Sequence, residues 1–138
     1  MKVIKLSKCN SELLANVDKD IFDGDISSSR LAEFVNTENH IALVAVHKEL
    51  VIGQVIAYVH RHIDSPTELY IDNLGVSLDF RRKGVATKLI EALCVIGKSY
   101  GCEDVWVAAE VDNEAALSFY RAVKLEMVPA VVFDGTLR

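Results

Sequence analysis

The apolar positions of this chain switch between a period of two and a helical period, and the switches mark out the elements. Near the start "VIKLS" alternates and predicts a first strand, and "SELLANV" predicts a short helix. "DKDIFDGDISSS" breaks the pattern with acids and serines, which predicts an acidic loop. Its serines then cap a helix, "SSRLAEFVNTEN", with Leu31, Phe34 and Val35 on one face. From His40 the apolar residues crowd into two β-branched runs around a polar "HKE", the pattern of an antiparallel hairpin. "LYIDNLGVS" predicts a further strand, and Gly75 inside it marks a bulge or a close backbone approach.

A helical stripe follows at Val85, Leu89, Leu93, Ile96 and Tyr100, and Gly101 ends it. "DVWVAAE" is apolar on both faces, which predicts a strand in the middle of the sheet with Trp106 in the core. "NEAALSFYRAV" predicts a last helix and "AVVFD" a last strand. The strand, helix and strand from Leu69 to Glu110 predict a right-handed crossover between parallel neighbours. The expected fold class is therefore mixed α/β: one domain over residues 1–138, its sheet antiparallel early and parallel at its centre.

Composition narrows the function classes. A chain of 138 residues with 51% hydrophobic content can bury a core without disulfide or metal staples. Twenty acids against fifteen Lys and Arg give a net charge of -5, which disfavours nucleic acid as a partner. Three cysteines with no CxxC pair suit free thiols in a reducing compartment. Since no apolar run resembles a signal peptide or approaches the ~20 residues of a membrane span, a cytoplasmic protein without a membrane partner is expected.

"RRKGVATKLI" sets three cations and a glycine where the long helix begins. A helix start exposes free backbone N–H groups and the positive end of the dipole, so it binds phosphate. Gly84 and Ala86 permit close approach, while Arg81, Arg82 and Lys83 attract the anion. The loop is neither a Walker loop nor a GxGxxG fingerprint. A bulged strand before it and a parallel strand after the helix put it at the carboxyl end of a strand, where open α/β sheets place ligands.

Arg81-Arg82-Lys83-Gly84-Val85-Ala86 resembles the pyrophosphate-loop signature of the GNAT superfamily of N-acetyltransferases: Gln or Arg, two residues, Gly, one residue, then Gly or Ala. "LYIDNLGV" resembles that family's bulged fourth strand, and "DNEAALSFY" its downstream helix. The resemblance implies acetyl-CoA as cosubstrate and no metal. It implies backbone contacts to the pantetheine arm from Leu74 and Val76, and amides from Arg82 through Gly84, Val85 and Ala86 to Thr87 around the pyrophosphate. Asn113 would contact the pantetheine, and Tyr120 would sit near the sulfur. Among subfamilies the likeness is to the small aminoglycoside 3-N-acetyltransferases. Two departures stand out: Lys124 and Leu125 replace the usual Gly and Phe, and the chain stops soon after "VVFDG", so a seventh strand is not expected.

Acetyl transfer to an amine of pKa ~10 needs a group that takes a proton and another that protonates the leaving thiolate. Tyr120 is the candidate acid. Asp72 on the bulged strand is the candidate base, with Glu110 or a water relay as rivals and Glu68 at the end of a strand; Asn73 cannot serve. Asp18, Asp20, Asp23 and Asp25 would draw in a cationic amine, unless they are simply a solvated loop. His60 and His62 share a strand face, but no third ligand is placed beside them, so no metal is expected. Cys94 lacks the electropositive setting of a nucleophile.

The expected function is acetyl-CoA-dependent N-acetylation of a small cationic amine, with an aminoglycoside as one such acceptor. Acetylation of a protein lysine or N-terminus and a non-catalytic CoA-binding module are the alternatives. An apolar edge at "VVF" would be covered in a homodimer.

Overall fold

The hairpin foreseen after His40 is the centre of the structure. β2 (His40–His47) and β3 (Leu50–His60) pair antiparallel across a two-residue turn in which Lys48 and Glu49 take φ of 49° and 69°. Two left-handed residues match the right-handed twist of the flanking strands. The computed structural model describes all residues 1–138, grouped as Met1–Ala108 and Ala109–Arg138.

In the first unit β1 (Lys2–Lys5) pairs antiparallel with β2, β4 (Glu68–Val76) antiparallel with β3, and β5 (Asp104–Val107) parallel with β4. The sheet order is β1-β2-β3-β4-β5. α1 (Ser28–Val35) starts at Ser27, whose hydroxyl accepts from the Arg30 N–H at 3.3 Å. α2 (Val85–Ser99) is the crossover between β4 and β5, and Gly101, at φ 87°, follows its last turn as predicted. α2 lies close on the sheet: a Cβ on Gly53 would stand 3.1 Å from Val85, and one on Gly97 3.1 Å from Leu69. Leu89 and Leu93 are wholly buried there, where truncation of either to alanine costs about 2–5 kcal/mol.

Three expectations are corrected. β5 is an edge strand rather than a central one, so only four residues pair and Trp106 is 46% exposed, its ring packed on Tyr70 at 4.4 Å. Its apolar residues are not the continuous buried run of an interior strand. "SELLANV" forms a five-residue 3-10 turn, Ser11–Ala15, because Asn16 leaves the helix to donate its side-chain N–H to the Glu49 carbonyl. Ala130–Asp134 forms no strand, since no other segment supplies a ladder for its backbone; Val131, Val132 and Phe133 are exposed.

The second unit holds α3 (Glu114–Ala122), capped by the Asn113 side chain, which accepts from the Ala116 N–H at 3.1 Å. At its end Leu125 N–H donates to the Tyr120 carbonyl and Lys124 N–H to the Arg121 carbonyl, both at 3.0 Å. This is the paired closure of a helix that usually uses glycine. Lys124 makes it at φ 73°, so the turn survives the departure from glycine, under backbone strain.

Candidate active site

The β3–β4 ladder slips by one residue: Ile56 pairs with Asn73 and Ala57 with Ile71, leaving Asp72 as the extra residue of a bulge. The bulge turns Asp72 outward, where its carboxylate accepts from the Tyr58 hydroxyl at 3.1 Å. Burial first, and then the Asp72 charge, push the Tyr58 phenol up to about 12. Gly75 fills the other role open to it, a close approach. A Cβ there would lie 2.2 Å from the Ile21 carbonyl oxygen, so the acidic loop crosses directly over β4.

That loop is tied down at several points. Val17 bridges Val51 in parallel, and Asp18 N–H donates to the Val51 carbonyl at 2.9 Å. Gln54, only 1% exposed, donates through Nε2 to the Ile21 carbonyl at 3.0 Å and to Asn73 Oδ1. Asn73 Nδ2 in turn donates to Asp23 at 2.9 Å. The Ser77 hydroxyl donates to Asp18 and, with the Lys19 N–H, holds that carboxyl below its ordinary range. Two of the four aspartates are thus fixed against β4 and its end. Asp25 lines an apolar cleft with Leu6, Phe22, Phe34 and Ile56. Gln54 faces the same cleft, and its Oε1 is buried with no partner.

The β4–β5 ladder stops at Ile71 and Val107, while β4 runs on to Val76. Ser77 N–H donates to the Ile52 carbonyl at 2.8 Å, so by strand alternation Leu74 and Val76 turn their backbone groups away from β3, to the open side. Arg81 Nε donates to the Val76 carbonyl at 3.2 Å. The Val76 N–H and both backbone groups of Leu74 are left for a ligand.

Arg82 and Gly84 take φ of 62° and 80°, and nothing lies within 4 Å of where a Gly84 Cβ would be. The first helical bond runs from Lys88 N–H to the Gly84 carbonyl at 3.0 Å. The amides ahead of it, through Val85, Ala86 and Thr87, are those a helix start leaves free. Turns that pass through left-handed residues can aim successive amides at one point, a cradle for oxyanions. Lys83 sits 5.3 Å over the Phe80 ring, and Arg82 is exposed. The open glycine, the free amides and the unpaired stretch of β4 fit a diphosphate with an extended, amide-bearing arm.

The remaining sequence candidates divide. Glu68 opens β4 at the end away from Val76 and the start of α2, and does not belong to this cluster. Glu110 lies beyond the end of β5, exposed in the turn before α3, where its carbonyl accepts from the Asn113 N–H at 3.0 Å. Tyr120 is half-buried on α3 beside Phe119, and burial pushes its phenol up. Sequence reasoning missed Gln54, Tyr58 and Ser77. A lone amide in the apolar run "LVIGQVIAYV" was the available signal for the first.

Residues 12–124 match the Acetyltransferase (GNAT) family. N-alpha-acetyltransferase 30 of Schizosaccharomyces pombe is 36% identical over 87 residues, 63% of this chain and 58% of that protein. The chain thus spans under two thirds of that relative's length, and 52% of N-alpha-acetyltransferase 50 from Danio rerio. The aminoglycoside N(6')-acetyltransferase type 1 of Salmonella enteritidis is 23% identical over 96% of this chain and 97% of its own. A crystal structure of an aminoglycoside acetyltransferase from an uncultured soil metagenomic sample, in complex with sisomicin, superposes with a TM-score of 0.83 at 26% identity, covering 99% and 96% of the two chains. The aminoglycoside relatives that carry a position in their names are 6' enzymes, so the expected likeness to the 3-N branch gives way to a likeness to aminoglycoside N-acetyltransferases more broadly. GNAT acetyltransferases take their acetyl group from acetyl-CoA. The bulged β4, the glycine-led start of α2 and the match over most of its length make this chain a member of the GNAT acetyltransferase family.

Proposed function

We propose that this chain moves an acetyl group from acetyl-CoA to a primary amine of a cationic small molecule, such as an aminoglycoside. The observation that carries this reading is the acid-bearing loop tied across the bulged strand, a few residues from a helix start suited to an anion. An acidic wall suits an amine that arrives protonated, because fixed carboxylates raise its local concentration.

In this reading amides from Arg82 to Thr87 hold the pyrophosphate, with Arg81, Arg82 and Lys83 supplying attraction. Leu74 and Val76 bind the pantetheine arm through their backbone, and Asn113 contacts it with the amide group that its cap leaves free. Asp72, oriented by Tyr58, takes the ammonium proton, directly or through a water. The freed amine forms the new N–C bond as the C–S bond breaks, Tyr120 protonates the departing thiolate, and the second proton that the nitrogen sheds returns to the Tyr120 oxygen, directly or through a water. A phenol whose ionisation is pushed up keeps its proton across neutral pH, as that role requires. Glu110, exposed and past the strand end, is the weaker base. The family match runs across the boundary between the two units, which supports one catalytic domain over residues 1–138.

The 36% identity to an N-alpha-acetyltransferase supports a second reading, transfer to a peptide N-terminus. Thiol release from acetyl-CoA, measured with sisomicin, other aminoglycosides and peptides bearing free N-termini, separates the two. Turnover with the aminoglycosides and products heavier by one acetyl group are expected. Turnover with peptides alone would replace the first reading by the second. CoA binding without turnover on any amine would leave a non-catalytic binding module.

A further inference from the structure

We propose that His60, His62 and Glu68 form a site for a divalent transition ion of the zinc class, where β3 ends and β4 begins, at the end of β4 far from the start of α2. His60 closes β3 and Glu68 opens β4, and the two are direct partners across the ladder. His62 lies two residues further on, its ring stacked on His60 with centroids 4.1 Å apart. Glu68 Oε1 stands 3.0 Å from His62 Nε2 and 3.5 Å from His60 Nδ1, and the three donor atoms all fall within 4.8 Å of one another. A tetrahedral zinc with bonds of ~2.0–2.2 Å holds neighbouring donors ~3.3 Å apart, so the two nitrogen-to-carboxylate separations bracket the spacing such an ion would impose, and a small turn of the exposed His60 ring would complete the trio.

The convergence is specific. Both imidazole nitrogens are aimed at one carboxylate oxygen, an arrangement that a hydrogen bond to either ring alone does not need. Arg61, the cation between the histidines, is held elsewhere: its Nη2 donates to the Tyr100 carbonyl at 3.3 Å. Thr67, just before the carboxylate, accepts from the Glu103 N–H at 2.9 Å, which fixes the backbone beside the site. The side chains of His62 and Glu68 are 24% and 27% exposed and that of His60 56%, so an ion can enter and keep water as its fourth ligand. Two imidazoles and a carboxylate are a donor set suited to zinc, copper or nickel rather than to magnesium or calcium. Four residues of strand separate Glu68 from Asp72, on the order of 13 Å. The ion is therefore a clasp on the loop from β3 to β4 and takes no part in acetyl transfer.

Zinc titrated into the untagged full chain by calorimetry, near neutral pH and with thiols blocked, tests this. One zinc per chain is expected, together with a higher melting temperature. His62→Ala and Glu68→Gln should each weaken binding by more than the ~10–100-fold that loss of an outer-shell partner costs. His60→Gln alters the most exposed of the three side chains, so it keeps the test valid if another variant fails to fold. Affinity should also fall in acid, because protons compete with the metal for its ligands. No saturable zinc binding by the unsubstituted chain, or binding that survives all three substitutions, would overturn the proposal. Binding that disappears when the thiols are blocked would assign zinc to the cysteines instead.

Discussion

Gly75→Ala is a sharp test of how the acidic loop is held. The substitution adds one carbon, which would lie 2.2 Å from the Ile21 carbonyl oxygen and 3.2 Å from Gln54 Nε2. Ordinary contact begins near 3.4 Å, so the loop backbone must retreat by more than an ångström. The retreat breaks the buried bond from Gln54 to Ile21, worth about 1–3 kcal/mol when the donor is left unpaired. Overpacking adds about 1–3 kcal/mol. A total of about 2–6 kcal/mol is a large part of the roughly 5–15 kcal/mol that holds a domain together. In a thermal melt followed by circular dichroism, the midpoint should fall by about 10 °C. Gly24→Ala is the control, because it lies in the same loop with nothing within 4 Å of a new Cβ, and its midpoint should barely move. Equal midpoints for the two variants would refute the close approach, and with it the loop's placement over β4.

Lys124→Gly relieves the left-handed strain at the end of α3 and should stabilise the chain by about 1 kcal/mol, read from the shift in urea midpoint. Tyr58 has its folded pKa raised from 10.0 to about 12, so its contribution to stability is intact below pH 10 and lost as pH climbs through that window. Tyr58→Phe should accordingly flatten the alkaline decline in urea stability relative to the unsubstituted chain. Tyr120→Phe should lower kcat by about 100-fold while leaving CoA affinity within about twofold, in line with loss of a general acid; full turnover would end that assignment.

Much of the fold was legible because its strongest signals are local. The hairpin at His40–His60, the α2 stripe and its Gly101 stop follow from periodicity and turn chemistry that tertiary contacts reinforce. Trp106 was misplaced because an apolar run reads alike at a sheet's edge and at its centre, and only the strand order tells them apart. Gly75 announced a special backbone position without saying which kind. The bulge proved to be at Asp72, and the glycine makes room for Ile21. The links from Gln54 through Asn73 to Asp23 join residues up to fifty positions apart, which no local pattern encodes. Glu68 beside the histidines was hidden for the same reason, since strand register alone brings it there.

The start of α2 is proposed to bind acetyl-CoA mainly through backbone amides freed by Gly84. Calorimetry with CoA on the unsubstituted chain and on Gly84→Val tests it directly. Open space around Gly84 means that the new side chain meets no protein atom near its Cβ. Its effects are the backbone strain of a β-branched residue at φ 80° and bulk where the diphosphate would lie. CoA affinity is expected to fall at least about tenfold, a loss of about 1.4 kcal/mol, in a chain that still melts cooperatively. CoA binding of undiminished affinity by a folded Gly84→Val chain would contradict it.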